Sequence, residues 1–213
     1  MLGLDIPTLL SRIIILIVSL STHEFAHAAT ADALGDDTPR LNGRLTLNPA
    51  AHLDLMGSLM LLIAGFGWAR PVPINPYALQ RRTPAGVMMV SLAGPASNLL
   101  LAILAAIPIR MGLVTPSFAN TGPLPSLYLF LLQFIAINLL LMVFNLIPLA
   151  PLDGEKIAGY FLPPPVASLF DTIRPYGPLI LLAILFVGPM VGLDIFGWIV
   201  WPVVNILMRL LGV

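Results

Sequence analysis

The sequence predicts an all-α polytopic membrane protein: a helical bundle of about five transmembrane helices with a re-entrant segment and a small cytoplasmic-side β-hairpin. Composition is the first reason. The 213 residues are 58% hydrophobic and only 9% charged, with a mean hydropathy of +0.97, whereas soluble domains are roughly one-quarter charged. Apolar runs long enough to cross ~30 Å of hydrocarbon recur along the chain. No polar stretch is long enough to form a separate soluble domain, so residues 1–213 are read as one domain, with a core over about 9–159 and C-terminal helices over about 178–213. A formal net charge of +0 without a basic patch gives nucleic-acid binding no support. The absence of cysteine excludes disulfides and thiolate metal sites.

The first span is read over about Ile6 to Ala29. It lacks the charged start and small-residue cleavage site of a secretory signal, so it is expected to be retained. If Arg12 snorkels to the interface where the helix enters, His23 lies roughly 16 Å further along, in the far half of the bilayer. From Ala31 to Asn48 the composition turns polar. Asp32, Asp36 and Asp37 read as solvated loop charges, and Asn42-Gly43 before the alternating Arg44-Leu45-Thr46-Leu47 is a hairpin signal. A strand edge there could pair with an extended substrate.

Leu53 to Trp68 is apolar, Gly-broken and short for a crossing, which fits a re-entrant hairpin or an interfacial helix. Arg70, Arg81 and Arg82 then stay on the side of Arg40 and Arg44, and the positive-inside rule makes that side cytoplasmic. Val87 to Ile109 and Ser126 to Pro148 are the second and third spans, joined by an uncharged, Pro-rich outward loop from Met111 to Pro125. The chain returns to the cytoplasmic side at Asp153, beside Lys156 and Arg174. Pro178 to Val213 holds two apolar runs interrupted at Gly188-Pro189 and Gly192-Leu193-Asp194. They predict two short or tilted spans, with Arg209 and the C-terminus back at the cytoplasmic face.

The chemistry concentrates in Ser21-Thr22-His23-Glu24-Phe25-Ala26-His27. Helical residues four apart share a face, so His23 and His27 can offer two imidazole nitrogens to one metal ion, with Glu24 alongside. Ionisable groups inside a span are expensive and mark function. Two histidines do not complete a catalytic zinc site, which commonly has three protein ligands and one open position. His52, Asp54 and Asp153 are the candidates for the third. Asp153 stands where an apolar span breaks at Pro148, Pro151 and Gly154, and loosened backbone there must face protein or a water-filled cavity. On spacing alone it could equally cap a helix-ending turn.

His23-Glu24-Phe25-Ala26-His27 in a first span, Gly94-Pro95-Ala96-Ser97-Asn98 in a middle one and Asn145 through Gly154 at the end of the next together resemble the site-2 protease family of intramembrane zinc metalloproteases. The resemblance runs from about Leu9 to Gly159 and points to the small members without appended regulatory domains. It implies that Zn2+ is held by His23, His27 and Asp153, that Glu24 is the general base, and that Asn145 and Asn98 hold substrate backbone or stabilise the oxyanion. For Asn98 an interhelical hydrogen bond is the competing role. His52 and Asp54 stay as supporting or alternative ligands, with loop structure as their ordinary role. The expected partners are a transmembrane protein or peptide substrate and the lipid bilayer, and the expected location is a bacterial inner membrane with the site towards the cytoplasm. A metal-ion transporter would also bury His and Asp in a bundle, but its ligands would line a path open in turn to both sides, whereas these cluster towards one.

Overall fold

A computed structural model describes residues 5–54, 57, 69–118, 124–194 and 196–213. Among the described residues four helices are long and apolar enough to cross a membrane: Ile6–Ala33, Gly86–Arg110, Leu127–Asn145 and Pro165–Met190. A shorter apolar helix, Gly197–Leu211, follows them.

Helix α1 (Ile6–Ala33) begins where the Asp5 carboxylate accepts the Thr8 N–H, with proline in its first turn. Its buried residues include Ser11, Ile15, Ser19, His23, His27 and Ala31, an unbroken every-fourth-residue row. Such a row is one ridge of a helix surface, so the histidines lie on the packing face itself. The short helices α2 (Thr38–Leu41), α3 (Pro49–His52) and α4 (Pro76–Arg82) follow. Helix α5 (Gly86–Arg110) buries a matching row, Gly86, Val90, Gly94, Asn98, Ala102 and Ala106. Small residues on both ridges let the backbones approach, which is how helices associate where no hydrophobic force separates lipid from protein. Helix α5 packs against α1 and against α6 (Leu127–Asn145). Ala102 and Ala106 meet Ile135 and Leu139 of α6 and Val200 and Val204 near the C-terminus in one apolar cluster.

The chain then turns into α7 (Asp153–Phe161), whose first residue is Asp153. Gly154 is required in this turn, because a Cβ there would collide with the carbonyls of Leu146 and Ile147. Next come α8 (Pro164–Ile173), a 3₁₀ turn at Arg174–Tyr176, α9 (Gly177–Leu182) and a wide π-helical stretch at Ala183–Val187. The last helix, α10 (Trp201–Leu211), is preceded by a second π-helical turn.

The hairpin expected at Asn42-Gly43 is not formed, and the described residues contain no strand. A type I′ turn needs positive φ at both central residues. Here Asn42 has φ −91 and only Gly43, at φ +67, is left-handed. The glycine ends a short helix instead: Pro39 occupies its first turn, and the Arg44 N–H returns to the Pro39 carbonyl at 2.8 Å. The re-entrant segment expected over 53–68 lies almost wholly outside the described residues. Its flanks Leu53 and Ala69 pair in an isolated antiparallel bridge, and the Arg70 N–H donates to the His52 carbonyl at 2.7 Å.

Two further expectations change. The helical path after Asp153 reaches an apolar helix by Pro165, earlier than residue 178. The C-terminus does not return to the face of Asp153. A Cβ on Gly212 would stand 3.3 Å from Arg110 Nε, at the end of α5 remote from the histidines. Asp36 is no solvated charge either: it is 1% exposed and accepts the Thr38 N–H at 3.1 Å and the Asn75 N–H at 2.6 Å. It thereby ties the loop after α1 to the segment that leads into α4. Asp36→Ala is expected to lower the apparent melting temperature in detergent by several degrees, since an unsatisfied buried donor costs about 1–3 kcal/mol. The same change at exposed Asp37 is expected to leave it unaltered.

Candidate metal centre

His23, His27 and Asp153 converge although the last lies 130 residues from the first. His23 Nε2 and His27 Nε2 stand 3.0 Å apart, and Asp153 Oδ2 is 3.1 Å from the first and 3.2 Å from the second. All three residues are buried. The helical spacing supplies the imidazole pair, while the turn after α6 carries the carboxylate to the same end of the bundle. Parity makes this possible: α1 runs towards that end, α5 away from it and α6 back again.

The ring nitrogens that face away decide what the others can do. His27 Nδ1 lies 2.7 Å from the Val90 carbonyl, which can only accept, so Nδ1 carries the proton. His23 Nδ1 lies 2.6 Å from Asn98 Oδ1. The Asn98 amide is oriented in turn, since its Nδ2 donates to Asn138 Oδ1 at 3.0 Å, and Asn138 Nδ2 donates to the Phe134 carbonyl at 2.9 Å. Both asparagines are fully buried. With Nδ1 protonated on each neutral ring, two Nε2 lone pairs and a carboxylate oxygen point at one another. Three buried acceptors around one point call for a cation, and two imidazoles with a carboxylate are a donor set that zinc takes.

Room for that cation comes from Gly94. A Cβ on Gly94 would lie 2.6 Å from His23 Nε2 and closer still to His27 Nε2. The missing methyl therefore leaves the space into which the imidazoles point. Glu24, 8% exposed, lines a cavity of ≈ 370 Å³ together with His23, His27, Asp153, Asn145 and Lys156. Asn145 Nδ2 donates to the Leu141 carbonyl of its own helix at 3.0 Å. Asn98 stands behind His23 and does not line this cavity.

The remaining candidates do not join the cluster. His52 is fully buried at the end of α3, its Nε2 2.7 Å from the Thr46 carbonyl. The Asp54 carboxylate accepts the Gly57 N–H at 2.8 Å, as a turn-capping Asp does. Near them Arg44, 5% exposed, donates from one nitrogen to the carbonyls of Ala51 and Arg70 and so clamps together the chain before and after the bridge. Burial and then the neighbouring Arg70 pull its guanidinium below the ordinary arginine value, with Glu24 opposing them.

Sequence reasoning missed Asn138 and the steric role of Gly94. The first was discoverable as an amide in the middle of a 19-residue apolar helix, between Gln133 and Asn145, and the second as a member of the small-residue row on α5. Two outcomes follow. Gly94→Ala is expected to abolish stoichiometric zinc in purified protein, read by elemental analysis, while the bundle remains folded. Asn98→Leu is expected to weaken zinc affinity roughly 10–100-fold in chelator competition, and Asn98→Asp, which keeps an acceptor for His23, to retain most of it.

No family model matches the chain, and no solved structure matches it. Curated relatives do. The chain is 42% identical over 197 residues to a Bacillus subtilis protein bearing the name zinc metalloprotease YwhC, covering 91% of this chain and 85% of the relative. It is 34% identical over 188 residues to a protein of Mycobacterium tuberculosis bearing the name zinc metalloprotease Rip2, covering 87% of this chain and 70% of that one. The Mycolicibacterium smegmatis Rip2 is 32% identical over 189 residues at the same coverage. With the buried His-His-Asp cluster already in place, these likenesses make this chain a member of the zinc metalloprotease family that includes YwhC and Rip2.

Proposed function

We propose that this zinc metalloprotease is a site-2-type enzyme that hydrolyses peptide bonds of transmembrane substrate segments near their cytoplasmic end, and that His23, His27 and Asp153 hold its zinc. The observation that carries the reading is the position of the cluster: its histidines lie within a helix long and apolar enough to span a membrane, and its cavity opens beside them. Zinc held there supplies Lewis-acid polarisation of a carbonyl and lowers the pKa of water. The chain supplies the rest. Glu24 takes the proton from the attacking water and returns it to the leaving amine. Asp153 serves as ligand, its charge set against the two imidazoles. Asn145, at the cavity wall, is placed to donate to substrate carbonyl oxygen once it releases the Leu141 carbonyl.

A membrane protease must also admit water and an unwound peptide, because helical peptide bonds are shielded and hydrocarbon holds no nucleophile. The cavity near one end of the bundle meets the first need, and helix-breaking residues in the substrate meet the second. Basic residues Arg40, Arg44, Arg70, Arg81 and Arg82 flank this end of the chain path, which favours a cytoplasmic-facing site in a bacterial inner membrane.

Glu24→Gln is expected to retain zinc by elemental analysis and to stop cleavage of membrane stubs, read by comparing the membrane proteomes of cells carrying either form. Identical stub profiles, with zinc bound in both, would sink the protease reading.

A further inference from the structure

We propose that Lys156 forms an anion-binding subsite at the mouth of the cavity and selects substrates with an acidic side chain close to the scissile bond. The inference deepens the proteolytic reading above and rests on it.

Lys156 is the chain's sole lysine. It follows Asp153 by three residues on α7, so the two rise side by side on neighbouring turns. Its side chain is exposed yet lines the cavity that contains Glu24, His23, His27 and Asp153. A lysine that only marked the membrane interface could have pointed along the outer apolar surface. This residue is part of the wall of the cavity that holds the reactive groups.

The carboxylates that could neutralise it are already engaged. Glu155, next in sequence and buried, accepts from Arg174 Nε at 2.8 Å and Nη2 at 2.5 Å. Asp153 faces the two imidazoles. Glu24 is the proposed base. Lys156 forms no ion pair among the described residues, so it is the cavity wall's one uncommitted cation there. Much of the remaining wall is apolar, for example Leu20, Val72, Phe144 and Leu181. Low-dielectric walls strengthen the field of a single charge, and Arg70, exposed between the lining residues Ala69 and Pro71, adds to the same sign. Neighbouring turns and the reach of a lysine place the ammonium about 6–10 Å from the metal-binding atoms, two or three residues of extended peptide. An Asp or Glu within about three positions of the cleaved bond would meet it.

The test uses single-span peptides with a helix-breaking Asn-Pro near the cytoplasmic end, carrying Asp, Gln or Lys at each of the three positions on either side. Their Kd is measured for the Glu24→Gln protein in nanodiscs of zwitterionic lipid, and cleavage is measured with native protein. Asp-bearing peptides are expected to bind roughly three- to tenfold more tightly than Gln-bearing ones at one or more positions. Adding Lys156→Met should level the series, Lys156→Arg should preserve it, and Lys156→Glu should reverse it in favour of Lys-bearing peptides. An Asp preference that is absent, or that survives Lys156→Met, overturns the subsite. So does a preference that vanishes when anionic lipid is added, which would make a lipid headgroup the occupant. Charge-selective binding without cleavage by native protein would sink the proteolytic reading and leave the subsite standing.

Discussion

The structure depends on holding three electron-rich atoms face to face inside an apolar bundle. Two imidazole lone pairs and a carboxylate oxygen at 3.0–3.2 Å repel one another in a low dielectric unless a proton or a metal ion joins them. The protein does not leave this arrangement to the metal alone. Val90 and Asn98 fix which nitrogen of each ring is protonated, so the lone pairs are aimed before any ion arrives. Asn138 holds the Asn98 amide the right way round from a third helix. An amide pair in hydrocarbon is costly unless satisfied, and here each bond of the chain serves the next.

Such a centre demands close helix approach, and close approach demands small side chains. The every-fourth-residue rows on α1 and α5 combine serine, glycine and alanine with the functional groups. Near the other end of α1, Ser11 donates to Gln133 of α6 at 2.6 Å, which ties α1 to α6 away from the site. Pro95 lies within α5 beside Gly94 and removes one backbone donor. Gly94 matters for what it lacks, since the void beside its Cα is the space the imidazole nitrogens face. A metal site in this bundle is thus as much a matter of excluded methyl groups as of ligands.

Peripheral contacts keep the rim of the cavity in register with its floor. Arg44 and Asp36 each bind backbone from two separated stretches, so the loops after α1 behave as one collar. On the opposite wall the Glu155–Arg174 ion pair ties α7 to the turn after α8. Gly177 brings the start of α9 against the Ala150 backbone, and Leu181 reaches the cavity from there. Lys156, next to Glu155 on α7, forms no ion pair among the described residues.

The sequence by itself determined the helical, membrane-spanning class, the imidazole pair on one helical face and the end of the bundle to which Asp153 returns. These follow from local periodicity, from the length needed to cross hydrocarbon and from the parity of successive spans, all written along the chain. Only the tertiary structure decided that Asp153, rather than His52 or Asp54, joins the histidines, because spacing cannot say which side chain distant in sequence reaches them. It also turned Asn42-Gly43 from a hairpin into a helix stop, since the dipeptide's need for a left-handed residue suits either geometry and the preceding Pro39 helix chose. The roles of Asn98, Asn138 and Gly94 are relations between helices, and a relation of that kind exists only once the small-residue ridges have met.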